Sequence, residues 1–190
     1  MRVVGGRLGG RRFEGPPGNL TRPTPERVRE GLASALQARG AIEGARVLDL
    51  FAGTGALGFE ALSRGAERAL LVDSDPAVVR TTTRSARSLG LQGRARVVRL
   101  DLLASPGTAA ARIARRDEAP FDLVFADPPY RVVQQLPLLL GELLGRGCLG
   151  ERAVVAVEHA ATRPPADPEG FSRLADYRYG DTGVLLFRVG

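Results

Sequence analysis

Lysine and tryptophan are absent from this 190-residue chain, and cysteine, histidine and methionine each occur once. A single cysteine, Cys148, excludes an intramolecular disulfide and any cysteine-cluster metal site. The single histidine, His159, would have to serve any Ser-His-Asp or Cys-His arrangement, and no nucleophile-elbow pattern accompanies it. Both residues are read as structural. No run approaches 18 apolar residues and the N-terminus lacks an apolar leader, so a soluble, cytoplasmic, non-membrane protein is expected. With 44% hydrophobic and 25% charged residues, the composition excludes a disordered or collagen-like chain, and the length suits one domain, residues 1–190.

What the chain has in abundance is arginine. All 27 basic residues are arginine, and the formal net charge is +6, which favours a polyanionic partner over an acidic small molecule. Arginine also binds phosphate bidentately and stacks on bases. The first 30 residues hold Arg2, Arg7, Arg11, Arg12, Arg22, Arg27 and Arg29 against Glu14, Glu26 and Glu30, so four of the six excess charges lie there. A merely solvated basic segment would show the same charge count. Short β-prone pieces broken by Gly-Gly pairs and Pro-Pro make residues 1–23 a small basic β arm or hairpin.

A helix is expected from Thr24 as N-cap, with Pro25 in the first helical position, Glu26 in the first turn, and Val28, Leu32 and Leu36 as an apolar stripe. From residue 46 the pattern becomes regular. Apolar runs at 47–51, 69–72, 96–100, 121–126 and 153–157 read as buried strands, and helical stretches fall near 56–64, 76–89, 107–116 and 132–144. Strand and helix in alternation imply a parallel sheet covered on both faces. Segments 173–179 and 184–189, separated by Gly180, Asp181, Thr182 and Gly183, read as a C-terminal antiparallel hairpin. The fold class is therefore α/β, and residues 46–190 follow the order of a Rossmann-like class I methyltransferase core.

The first strand ends in Asp49, Leu50, Phe51, Ala52, Gly53, Thr54 and Gly55, where an open parallel sheet binds its ligands. Gly53, Gly55 and Gly58 spell G-x-G-x-x-G, and Asp73 follows Gly53 by 20 residues, as in a dinucleotide-binding fingerprint. Asp49 argues for a different ligand. A carboxylate just ahead of the glycines repels a pyrophosphate but attracts the ammonium and sulfonium of S-adenosylmethionine. The stretch resembles motif I of class I methyltransferases, with Asp49, Phe51, Gly53 and Gly55 as cofactor-binding residues. Asp73 is placed to accept the ribose hydroxyls, and Asp101 with Leu102 to meet the adenine. A helix N-terminal role is the alternative for Asp101, and Asp75 before Pro76 reads as a helix cap.

Asp127, Pro128, Pro129 and Tyr130 follow the strand at 121–126. An aromatic amine is a poor nucleophile because its lone pair is delocalised into the ring. Acceptors on its two hydrogens, the Asp127 carboxylate and the Pro128 carbonyl, can hold it with the lone pair exposed and stabilise the developing positive charge. Pro128 and Pro129 stiffen the backbone that aims the carbonyl. Tyr130 can stack on an extruded base, which is worth about 1–3 kcal/mol. The chemistry needs no metal.

These pieces, with Arg2 to Gly6, the segment Thr21 to Glu30, and Tyr179, Gly180, Asp181 and Thr182, resemble the bacterial 16S rRNA (guanine(966)-N(2))-methyltransferase family. The most family-specific part is R-P-T-x-x-R-V-R-E. Pro25, where the family more often has threonine, and Tyr130, where phenylalanine is also common, are mild departures. The resemblance implies transfer from S-adenosylmethionine to a guanine N2 in 16S rRNA, on a partly assembled small ribosomal subunit, and the protein is expected to be a monomer. Arg7, Arg11, Arg12, Arg22 and Arg27, together with Arg29, are expected to track RNA phosphates, although one helix cannot aim all of its arginines the same way and Arg29 could pair with Glu30. The residues alone do not separate guanine N2 from adenine N6. A DNA adenine-N6 methyltransferase, a nicotinamide-dependent oxidoreductase and a non-catalytic assembly factor remain as alternatives. The first usually carries an extra recognition domain, the second leaves Asp49 and D-P-P-Y unexplained, and an intact D-P-P-Y argues against the third.

Overall fold

The computed structural model describes residues 1–16 and 24–190, and in them seven strands form one sheet. Strands β1 (Arg46–Leu50), β2 (Arg68–Asp73), β3 (Ala95–Arg99), β4 (Phe121–Ala126) and β5 (Leu149–Ala160) run parallel. The hairpin strands β6 (Phe171–Tyr179) and β7 (Thr182–Val189) complete it, with β7 antiparallel to both β5 and β6. The order across the sheet is β3-β2-β1-β4-β5-β7-β6, so the direction of winding reverses between β1 and β4. A crevice opens at the carboxyl ends of strands at such a reversal.

The strands read as continuous apolar runs because both faces are covered. Val47, Ala69, Leu71, Leu123 and Phe125 point to one side, where helices α1 (Glu26–Gln37), α2 (Ala56–Ser63) and α3 (Pro76–Ser88) supply Leu32, Leu36, Phe59, Leu62 and Ala86. Leu48, Leu50, Leu70, Val72 and Val124 point to the other, against Ile113 of α4 (Pro106–Ala114) and Leu139 and Leu143 of α5 (Leu136–Gly145). Cys148 is buried in this second layer, its thiol on the Ala110 carbonyl at 3.5 Å. His159 is also buried, its Nδ1 lying 2.8 Å from the Ala160 carbonyl.

Several boundaries depart from the sequence expectation. The helix expected at 132–144 is split into a 3-10 turn, Val133–Gln135, and α5, with a proline in the first turn of α5. The hairpin turn shrinks to Gly180 and Asp181, because Thr182 and Gly183 pair with Ala160 and His159 of β5. Thr24 is not the N-cap of α1. Pro25 holds that position with an extended ψ of 146°, so it is not helical either, and Thr24 stands one residue beyond reach of the helix's free amides.

The N-terminal arm is docked rather than free. A single antiparallel bridge, Arg2 to Arg12, closes it around a 3-10 turn, Gly6–Leu8, and Val3 and Phe13 enter the core. The Glu60 carboxylate of α2 accepts the amides of Val4 and Gly5, both at 2.8 Å, and Ser63 Oγ accepts that of Leu8 at 2.9 Å. Arg29, 1% exposed, reaches under the arm and donates twice to the Arg2 carbonyl at 3.1 Å, with Glu60 3.8 Å away. This corrects two expectations. Arg29 faces the core with Leu32 and Leu36, so it neither pairs with Glu30 nor meets phosphate.

Candidate active site

Four strands deliver a carboxylate to the crevice, and alternation puts those of β2, β1, β4 and β5 on the same side. Asp73 follows Ala69 and Leu71, Asp49 follows Val47, Asp127 follows Leu123 and Phe125, and Glu158 follows Val154 and Ala156, all on the α1–α3 face. These four residues line a cleft of about 830 Å³ together with Phe51, Gly53, Asp101, Leu102, Pro128, Pro129 and Tyr130. All of these but Glu158 are residues expected at the site from the sequence. The size falls within the about 300–1,000 Å³ of small-molecule pockets.

The backbone after β1 is shaped by unusual dihedrals. Phe51 adopts φ 59°, a left-handed conformation that is strained for a bulky residue and concentrates at functional sites. Gly55, the N-cap of α2, has φ 76°, and a Cβ there would stand 2.7 Å from Thr82 and 2.9 Å from Phe59. It supports the loop from behind rather than lining the cleft. One turn on, Gly58 brings α2 close enough for its amide to donate to Asp49 Oδ2 at 2.9 Å. Asp49 is 2% exposed. Burial holds its carboxyl well above the usual carboxylate range against the Gly58 amide, with help from the charges of Asp127 and Asp73.

Asp73 Oδ2 accepts the Gly53 amide at 3.0 Å, and its Oδ1 accepts that of Asp75 at 2.9 Å. The residue therefore ties the β1 loop to the β2 loop while facing the cleft. Asp75 caps α3 by accepting from Ala77 and Val78, as its place before Pro76 suggested. Asp101 is not at a helix N-terminus, since α4 begins at Pro106 behind Ser105. Its Oδ1 accepts the amides of Ala104 and Leu103, each at 3.0 Å, and these bonds hold its carboxyl below the usual range. Leu102 beside it is 3% exposed.

At the other end of the cleft, Thr24 donates its hydroxyl to Asp127 Oδ2 at 3.3 Å. The residue expected to cap α1 thus touches the first residue of D-P-P-Y. Thr24, Thr182 and Glu158 line this end and were not among the expected site residues. A glutamate directly after the apolar run 153–157 was the available signal for Glu158, and the strand register was needed to interpret it.

Among the described residues that line the cleft, Arg131 is the only basic one. A lining this rich in carboxylates suits a positively charged ligand and opposes a pyrophosphate. The expected phosphate-tracking arginines that the structure describes lie outside the cleft. Arg7, Arg12 and Arg27 are exposed, Arg11 donates to the carbonyls of Ser88 and Leu89 at the end of α3, and Arg22 lies outside the described residues. So do Thr21 and Pro23 of the family-like segment.

Known proteins are similar to this one along nearly its whole length. The ribosomal RNA small subunit methyltransferase D of Escherichia coli is 37% identical over 194 residues, covering 99% of this chain and 89% of that protein. The protein YlbH of Bacillus subtilis is 36% identical over 191 residues, with 99% and 98% covered. The solved structure of yhhF from Escherichia coli superposes with a TM-score of 0.82 at 34% identity, covering 100% of this chain and 97% of that one. The family model described as conserved hypothetical protein 95 matches residues 1–188, and the chain belongs to that family together with the small-subunit methyltransferase D proteins.

Proposed function

We propose that this chain is an S-adenosylmethionine-dependent methyltransferase of 16S rRNA, acting in the cytoplasm on the N2 amine of a guanine within the small ribosomal subunit. The observation that carries the reading is one cleft with a carboxylate-rich glycine loop at one end and Asp127, Pro128, Pro129 and Tyr130 at the other. The relatives' names support the rRNA substrate, because the Escherichia coli protein is a small-subunit rRNA methyltransferase.

The residues present fit the cofactor. S-adenosylmethionine supplies an electrophilic methyl on a sulfonium when bound. Asp49, Asp73 and Asp101 would hold its cationic, ribose and adenine parts, and the turn at Gly53 leaves room for the backbone to approach it. The chain's own work is then positional. Asp127 and the Pro128 carbonyl accept the two hydrogens of the target amine, which turns its lone pair towards the methyl, and Thr24 steadies the carboxylate. Tyr130 stacks on the extruded base. Alignment of this kind lowers a two-substrate barrier by several kcal/mol.

The test is to incubate the protein with tritiated cofactor and unmodified small-subunit particles, naked rRNA or duplex DNA, and to identify the labelled nucleoside. Label in N2-methylguanosine from the particles, reduced at least about 100-fold by Asp127→Ala, is the expected outcome. Label in N6-methyladenine would overturn the substrate, and no label despite cofactor binding would overturn the enzymatic reading.

A further inference from the structure

The β4–β5 ladder ends on the pair Ala126 and Val157, so the next residue of each chain segment, Asp127 after β4 and Glu158 within β5, emerges at the same end of the sheet. Both side chains lie on the α1 side of the sheet, the side of Phe125 and Ala156, and both line the same cleft. Glu158 is only 8% exposed. Thr182, on the neighbouring strand β7 and paired with Ala160, closes this end beside it.

Asp127 belongs to the machinery that holds an exocyclic amine. A second acidic side chain beside it faces whatever ring atom flanks that amine, and the bases differ at this atom. On the Watson–Crick edge, the N2 of guanine is flanked by the donor N1–H. The N6 of adenine is flanked by the acceptor N1, and the N4 of cytosine by the acceptor N3. A carboxylate rewards the first and opposes the other two, since it would set negative charge against a ring lone pair at a side chain almost wholly withdrawn from water.

We infer that Glu158 is the specificity-determining residue of this site and selects guanine by accepting its N1–H while Asp127 and Pro128 hold N2. The inference rests on the guanine-N2 reading above and adds what that motif by itself does not supply, since D-P-P-Y is neutral between exocyclic amines.

The discriminating probe is 2-aminopurine, which keeps the 2-amino group, lacks O6 and carries a ring lone pair in place of the N1–H, so the change in ratio between wild type and variants isolates the N1 contact. Small-subunit particles are reconstituted with 16S rRNA carrying guanosine or 2-aminopurine at the nucleotide that wild-type protein labels, and kcat/KM is compared. Wild type is expected to favour guanosine by about 10- to 100-fold, the scale of one charge-assisted hydrogen bond. Glu158→Gln, whose amide can donate to a ring acceptor or accept from N1–H, is expected to bring the ratio near one. Glu158→Ala is expected to lose the guanosine advantage without losing 2-aminopurine turnover. Cooperative melting and unchanged affinity for S-adenosylmethionine qualify either variant for the comparison. A wild-type ratio near one, or variants that lose both substrates equally with the ratio intact, would overturn the assignment. If wild type labels no guanine N2 at all, the failure belongs to the proposed function and is visible before any variant is made.

Discussion

Asp49 sits where burial and a cationic ligand make opposite demands. Burial raises its pKa above that of the unfolded chain, so the folded protein binds this proton more tightly than the unfolded one does. The associated destabilisation is absent at pH values below the ordinary carboxylate range. It grows as pH rises through that range and levels off above the folded pKa. Asp49→Asn keeps an acceptor for the Gly58 amide and removes the buried charge. The variant is therefore expected to melt higher than wild type at neutral pH and to match it in acid, read by thermal denaturation across pH. The ligand side has the reverse sign. A bound sulfonium favours the carboxylate, so wild-type affinity for S-adenosylmethionine should rise with pH through the Asp49 pKa. Asp49→Asn should bind about 10- to 100-fold more weakly, with a flat profile, in calorimetric titrations. Weaker binding in a more stable variant is the mark of a residue retained for its ligand.

At the scale of elements, the arm, α1 and α2 are joined through Glu60 and Arg29. Glu60 receives two arm amides and the guanidinium of Arg64 at 2.7 Å, while Arg29 fills the gap beneath the Arg2 carbonyl. Removing Arg29 strips the Arg2 carbonyl of its buried donor and takes one of two guanidinium groups from Glu60, so Arg29→Ala is expected to cost about 3 kcal/mol in urea unfolding. Arg29→Met, which fills the volume without a charge, should cost less. Equal stability of Arg29→Ala and wild type would show that the arm is not held from below. Among the described residues, the arginines of the N-terminal stretch differ in role, and Arg2 pairs with Glu26 at 2.8 Å. Arg29 and Arg11 bind carbonyls of the fold, and Arg7, Arg12 and Arg27 face solvent. Charge counting along the sequence could not separate them, because exposure depends on which face of α1 meets the sheet and where the arm lands.

For the whole molecule, negative charge is gathered inside the crevice and positive charge is spread outside it. The chain carries +6, yet the cleft is lined by five acidic residues at the strand ends, with Asp75 at the head of α3. This layout suits a polyanion laid across the surface that delivers one base to an interior built for a small cation. On the proposed reading, Arg12→Ala with Arg27→Ala should lower the slope of log affinity for small-subunit RNA against log salt by about one to two. Cofactor affinity should stay unchanged. An unaltered slope would remove these two residues from the RNA surface. Arg11 is a poorer probe, since its substitution also strips the C-terminal carbonyls of α3.

Strand identity, the glycine-rich loop after β1 and the D-P-P-Y segment at a strand end were legible in the sequence because each depends on local chemistry. Apolar runs must be buried, a glycine must occupy φ 76° at position 55, and Asp75 can cap α3 from two residues away. Thr24, Glu158 and Arg29 were misread or missed because their partners are remote. Thr24 and Asp127 are 103 residues apart, and Glu158 meets the cleft only through the register of β4 with β5. The sequence by itself determined the elements, their order and the chemical groups at the strand ends, since period, capping and turn chemistry act over a few residues. Only the tertiary structure decided which carboxylates share a cleft and which arginines are spent inside, because winding order and helix docking bring distant positions together.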